Sequence, residues 1–333
     1  MSELGVLQQT GAGRSAQLIR ARRRRRFRQG ALALLALLLG GLTLLVVMVS
    51  APSEPQLRLL GSARPGPGQF SERAGYAATR AAVQVRPRVK LALRSGLLFD
   101  VRSGRVLWQR APRQVLSIAS LTKMMTALVV VSHAHASARV RITHEAINYS
   151  GSGVGNLPLG KRVPLLTLLY GLMLPSGNDA AIALAQHVAG SQRRFVAMMN
   201  TRARAMHLGC TRFSSVSGIV DRGNHSCAVD LARIAHAVLE RPLLARIVAS
   251  RSAVLPLPVK GGKVYLYNNN PLMYLRYRGV DGVKTGYTQA AGRCLVAAAR
   301  RGGRWLGVVL LHSTDPSMQA QQLLDAGFAA RSV

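Results

Sequence analysis

From about residue 117 to 245 the apolar residues recur at helical spacing, and on both flanks they fall into short strand-like runs. No other feature constrains the fold as much. A strand with one apolar face must pair and bury it, and strands parted by a long helical stretch have each other as partners. The first run is Leu91–Phe99, followed by turn residues Asp100–Gly104 and a return over Arg105–Gln109. The helical middle predicts Leu121–Val131, Leu165–Met173, Asp179–Val188, Arg194–Met206 and Cys227–Leu239. Strands resume at Val264–Tyr267, Cys294–Ala299 and Trp305–Leu311, and a helix closes the chain over Ser317–Ala326. The expectation is an α+β fold with one antiparallel sheet built from both chain ends and a helical region inserted between them. No internal repeat is visible.

The N-terminus names a compartment. Residues 1–30 form a basic tail with five consecutive arginines, Arg22 to Arg26. Ala31 to Ser50 then runs without a charge, long enough as a helix to cross about 30 Å of hydrocarbon. The basic flank predicts a cytoplasmic tail, one transmembrane helix and an extracytoplasmic remainder. A cleavable signal peptide is the alternative, with Ser50 and Ala51 as small residues at its end. An uncleaved anchor is favoured, because the apolar run exceeds a usual signal core. Residues 51–85, with Pro52, Pro55, Pro65 and Pro67, read as a linker. The folded unit is expected over 86–333. Of three cysteines, Cys210 and Cys227 could bridge, which sequence leaves open, and Cys294 starts an apolar run as a small core residue.

Chemistry enters at Ser120-Leu-Thr-Lys123. Three residues apart at the start of a helix, the two side chains share a face. A serine hydroxyl needs a base, and a lysine amine serves once burial or a second cation lowers its pKa. The helix start adds N–H groups for an oxyanion. Alone the pair is equally well a capping serine and a solvated lysine. Ser176-Gly-Asn178 opens a later helix, where either polar residue could cap it. Lys284-Thr285-Gly286-Tyr287 offers a cation, a hydroxyl and a close backbone approach. Its plain alternative is a strand ending at a glycine turn. Only six lysines occur in the chain, and two sit in these motifs.

In that order, Ser-x-x-Lys, Ser-x-Asn and Lys-Thr-Gly are shared by penicillin-binding proteins and their β-lactamase relatives. Over roughly 86–330 the chain resembles the low-molecular-mass penicillin-binding proteins, the serine-type D-alanyl-D-alanine carboxypeptidases. The likeness extends through Ile118-Ala-Ser-Leu-Thr-Lys-Met-Met-Thr-Ala, Leu172-Met-Leu-Pro-Ser-Gly-Asn-Asp-Ala-Ala and Asp281-Gly-Val-Lys-Thr-Gly-Tyr-Thr. It implies the transpeptidase fold and an exported peptidase that removes the terminal D-Ala from peptidoglycan stem pentapeptides. Ser120 would be the nucleophile, Lys123 its base, Ser176 the proton relay, and Asn178 the positioner of Lys123 and substrate. Lys284 would keep the site positive and Thr285 would bind the terminal carboxylate. Gly286 and Tyr287 would complete the substrate strand, the Ser120 and Tyr287 N–H groups forming the oxyanion hole. β-Lactams would trap Ser120; no metal or organic cofactor is implied. Three departures stand out. Between Arg304 and Arg331 only His312 could replace the basic residue that relatives carry after the last strand. The β-rich domain that often follows the catalytic one is expected to be absent. Cys227, in place of a small hydroxyl residue, reads as neutral packing.

Rival readings use the same residues. A class A-type β-lactamase needs a carboxylate for its deacylating water, and between Ala146 and Leu239 only Asp179, Asp221 and Asp230 are acidic. A DD-endopeptidase cutting cross-links would use the same site. The net charge of +33 fits a non-catalytic, polyanion-binding envelope protein, but the intact motifs argue against it. Nucleic acid is excluded as a partner by topology, and the 5% aromatic content is poor for base stacking. His133 and His135, with Glu145 beyond, show no metallopeptidase spacing.

Overall fold

The computed structural model describes residues 91–330 together with Val85. The expected basic tail, the apolar segment and all of the linker but Val85 lie outside the described residues. Among those described, no helix is long and apolar enough to cross a membrane.

Two strands open the fold, β1 (Leu93–Asp100) and β2 (Val106–Arg110), and the short β3 (Leu116–Ser117) leads into a 3-10 turn, Ala119–Thr122. Helix α1 (Lys123–His133) comes next without a break, then β4 (Arg139–Arg141), α2 (His144–Ile147), β5 (Arg162–Pro164) and α3 (Leu165–Met173). Beyond them lie α4 (Asn178–Ala189), α5 (Gln192–Ala205), β6 (His225–Ser226), α6 (Ala228–Leu239) and α7 (Pro242–Ala249). The ribbon β7 (Ser252–Pro256) and β8 (Lys263–Tyr267) precedes α8 (Pro271–Tyr274). Strands β9 (Val280–Thr288), β10 (Gly292–Arg301) and β11 (Arg304–Ser313) and helix α9 (Pro316–Ala329) complete it.

The main sheet runs β2-β1-β11-β10-β9, antiparallel throughout. Strand β1, from the start of the domain, lies beside β11, from its end, with Leu97 opposite Val309. The sheet from both chain ends is therefore observed. One face joins the helical insertion in a core that includes Leu97, Val296 and Val309. The other face, with Leu98, Leu295 and Val308, packs with Leu323 and Leu324 of α9. Alternation along the strands dictates this sorting, since neighbours point to opposite faces.

Helix α1 runs through the middle of the insertion, buried at every position from Lys123 to Val130. A helix apolar on all sides belongs inside, and its first residue is carried in with it. The element predictions hold to within a few residues, with two differences of kind. Lys-Thr-Gly does not end a strand: it lies inside β9, paired with β10 on one side, so Gly286 serves close packing rather than a turn. Cys227 is not neutral packing: it is bonded to Cys210, which closes the loop between α5 and α6.

Candidate active site

The site is built where α1 begins. Ala119 takes a left-handed backbone, φ 47°, unusual for a residue with a side chain. Gly218 explains why the turn holds: at φ +82° it passes so close that a Cβ there would lie 1.9 Å from the Ala119 carbonyl oxygen. Thr122 Oγ1 donates to that oxygen at 2.8 Å and accepts from Asn224 Nδ2 at 2.7 Å. Ser120 is thereby presented half-buried at the mouth of the helix.

Lys123 is completely buried. Its Nζ lies 2.8 Å from Ser120 Oγ, 2.6 Å from Asn178 Oδ1 and 2.8 Å from the Ser217 carbonyl oxygen. Desolvation holds its pKa well below the ordinary lysine value; the charge of Lys284 lowers it further and Asp179 opposes. A neutral amine has two N–H bonds and one lone pair. With Asn178 and Ser217 accepting the former, the lone pair faces the Ser120 hydroxyl.

Helix α4 supplies Asn178. Its side chain donates to Ser150 O at 2.5 Å and its backbone N–H to Ser152 O at 2.8 Å. The next residue, Asp179, is buried and accepts from the N–H groups of Val154, Gly155 and Ala180. Its pKa is raised by burial against those bonds. Ser176 stands just before this helix with φ 70°, buried, its Oγ without a hydrogen-bond partner. Neither polar residue caps α4, which starts from Gly177 with no side-chain cap. The segment before Ser176 is tied down by Asn269, whose N–H and Nδ2 donate to Leu174 O and Pro175 O, each at 3.1 Å.

Strand β9 is one of the two edge strands of the sheet and lies against the 3-10 turn. A Cβ on Gly286 would stand 3.0 Å from Ile118 O and 3.1 Å from the Ser120 nitrogen, so a side chain there would press on the turn. Lys284 is buried; its Nζ donates to Thr285 O at 3.0 Å, and desolvation brings its pKa down to about 7. Thr285 is half-buried and Tyr287 is 68% exposed. Thr288 Oγ1 donates to Asp221 Oδ1 at 2.8 Å, joining the strand to the disulfide-closed loop.

All three motifs thus meet around Ser120 and Lys123: Lys123 is hydrogen-bonded to Ser120 and to Asn178, Gly286 packs against the turn that carries Ser120, and Lys284 acts on Lys123 through its charge. Sequence reasoning missed the Ser217 carbonyl, for which no side chain could signal, and the anchoring role of Asp179, which adjoins the motif. The acids Asp179, Asp221 and Asp230 are engaged elsewhere, the last with Cys210 N and Thr211 Oγ1. His133 Nδ1 is bound to Val129 O, and His135 Nδ1 to Ser137 Oγ.

An antiparallel sheet with a helical insertion, and a serine in contact with a buried lysine amine under its edge strand, define the class of DD-transpeptidase folds. Residues 80–314 match the profile of the D-alanyl-D-alanine carboxypeptidases, peptidase family S11. A D-alanyl-D-alanine carboxypeptidase of Bacillus subtilis is 33% identical over 71% of this chain and 62% of its own length. That of Streptomyces sp. strain K15 is 33% identical over 76% of this chain and 92% of its own. The solved Streptomyces K15 DD-transpeptidase superposes with a TM-score of 0.68 at 33% identity, over 72% of this chain and 98% of that one. A D-alanyl-D-alanine carboxypeptidase of Mycobacterium tuberculosis H37Rv gives 0.69 at 31% identity, over 75% and 97%. The chain belongs to this family of serine peptidases. It spans somewhat under two thirds of the Bacillus subtilis and Escherichia coli relatives, 62% and 63%.

Proposed function

We propose that the protein is a penicillin-sensitive D-alanyl-D-alanine carboxypeptidase acting on peptidoglycan stem pentapeptides. The observation that carries this reading is the buried Lys123 amine, held by Asn178 and Ser217 with its third hydrogen bond to Ser120 Oγ. Ser120 Oγ attacks the carbonyl between the two terminal D-alanines and its proton passes to Lys123 Nζ. The oxyanion is received by the N–H groups of Ser120 and Tyr287, a reading supported by the close approach of Gly286, the residue before Tyr287, to the Ser120 nitrogen. Ser176, with its unpartnered hydroxyl, passes a proton to the departing D-alanine. Thr285 receives the terminal carboxylate, and Lys284 keeps the site positive. Water then cleaves the Ser120 ester. A β-lactam, opened by the same attack, stays on Ser120.

A second reading has an observation behind it. The Streptomyces K15 relative is described as a DD-transpeptidase, and an acyl-enzyme can pass its acyl group to an amine in place of water. The basic tail and apolar run of the N-terminus support a membrane-anchored protein with residues 86–333 on the extracytoplasmic side. The test is D-alanine release from a pentapeptide ending in D-Ala-D-Ala, measured by mass spectrometry for the parent and Ser120→Ala. Release by the parent alone supports the carboxypeptidase. An added glycine or diamine acceptor reports transfer, and cross-linked muropeptides report endopeptidase action. No release by a folded parent overturns the reading.

A further inference from the structure

The ribbon β7–β8 has two unlike faces. Its register sets Ser252 opposite Tyr267, Val254 opposite Tyr265 and Pro256 opposite Lys263, and opposed residues share a face. Ala253, Leu255, Val264 and Leu266 join the helical core. No described residue covers the outer face, where Val254, Tyr265 and Tyr267 are exposed by 54%, 64% and 60%. Exposed aromatic clusters of this kind mark binding surfaces.

Three observations narrow the occupant. Tyr265, Tyr267 and Asn269 are exposed at every second position while Leu266 and Asn268 are buried, so they form one strip. That strip ends at the candidate active site, because Asn269 holds the carbonyls of Leu174 and Pro175 just before Ser176. Two residues of extended chain cover about 7 Å, which sets Tyr267 one sugar ring or so from Asn269. Third, between Glu240 and Asp281 the chain has seven Arg and Lys and no acid, among them Lys263 at one end of the outer face and the exposed Arg251 just before its other end.

We propose that the outer face of this ribbon docks the sugar–peptide polymer that bears the substrate, with pyranose rings on Tyr265 and Tyr267 and carboxylates opposite Lys263 and Arg251. The proposal rests on the carboxypeptidase reading for the identity of the polymer. A pyranose ring has an apolar C–H face with hydroxyls at its rim. Tyrosine matches both, an apolar ring with a polar tip and only two side-chain torsions to fix. Continuity with the Ser176 loop favours the polymer over a lipid surface: a strand whose stem peptide enters the site must lie along what adjoins it.

The test compares the free pentapeptide with the same pentapeptide carried on uncross-linked glycan chains, using the full-length protein in detergent. Direct binding of glycan chains stripped of peptide is measured alongside by calorimetry. For the parent, KM for the chain-borne peptide should be about tenfold lower than for the free one. Tyr265→Ser/Tyr267→Ser should abolish that difference and the binding of stripped chains, with kcat and KM for the free peptide unchanged. That unchanged activity also shows the variant is folded. Equal KM values for the parent, or a preference that survives in the variant, would overturn the proposal. So would binding to phosphatidylglycerol vesicles lost in the variant while glycan binding is unaffected, which would assign the ribbon to lipid. Should the parent release no D-alanine at all, the carboxypeptidase reading fails, and stripped-chain binding still decides the ribbon.

Discussion

At the scale of single residues the site is a problem of two buried lysines. Lys284 lowers the pKa of Lys123 by its charge, and its own pKa lies at about 7. A general base works deprotonated, so acylation should rise with pH through the Lys123 pKa. Loss of the Lys284 proton, near pH 7, should act the other way by removing positive charge from the site. Replacing Lys284 by Gln removes the neighbouring cation, raises the Lys123 pKa, and moves the rising limb to higher pH. Rates of penicillin acylation against pH would show it; an unmoved limb would mean that the two amines do not communicate. Asn178→Ala strips the Lys123 amine of one acceptor in a fully buried place, where an unmade hydrogen bond costs about 1–3 kcal/mol. Acylation should fall by at least about tenfold, read as the second-order rate constant with a fluorescent penicillin.

At the scale of elements, spacing was legible in the sequence and backbone was not. Ser120 and Lys123 share a face because three residues make nearly one turn, and the strands sorted their faces by alternation. The Ser217 carbonyl, the φ of 70° at Ser176 and the left-handed Ala119 come from tertiary packing and carry no residue signature. The capping roles left open as alternatives for Ser120 and Ser176 are not taken up for that reason, since left-handed turns replace ordinary helix starts. Gly286→Ala tests the packing directly. The added methyl presses on Ile118 O and the Ser120 nitrogen and shifts the turn by a few tenths of an ångström, so acylation should drop by about tenfold while the melting temperature changes little. The Cys210–Cys227 bond closes the loop that brings Ser217 to Lys123 and Asp221 to Thr288. Replacing both cysteines by serine should cost about 3 kcal/mol for a loop of that length. Denaturant titration of the variant against the oxidised parent measures it, and equal midpoints would show that the loop is held without the bond.

At the scale of the whole molecule the buried lysines give stability a pH dependence. Their folded pKa values lie below the unfolded ones, so the unfolded chain binds more protons, and stability rises with pH above about 7. Cys294 opposes this at the alkaline end. Burial raises its thiol to about 12, so its contribution is complete below the unfolded thiol pKa and wanes above it. Thermal unfolding should therefore occur at higher temperature at pH 8.5 than at pH 7 (about these values). A flat or inverted trend would mean that the lysines are hydrated. The sheet made from both chain ends has a consequence of another kind. Thr314 and Ala92 are hydrogen-bonded across 222 residues, and β1 has no inner neighbour until β11 exists. Contacts of such separation form late and slowly. Throughout synthesis the β1–β2 hairpin waits with an unpaired edge, the situation in which growing chains aggregate. A chain interrupted before β11 would hold Ser120, Lys123 and Asn178 in full and still be inert, because it would lack the strand that ties β10 and β9, the wall they work against, to β1.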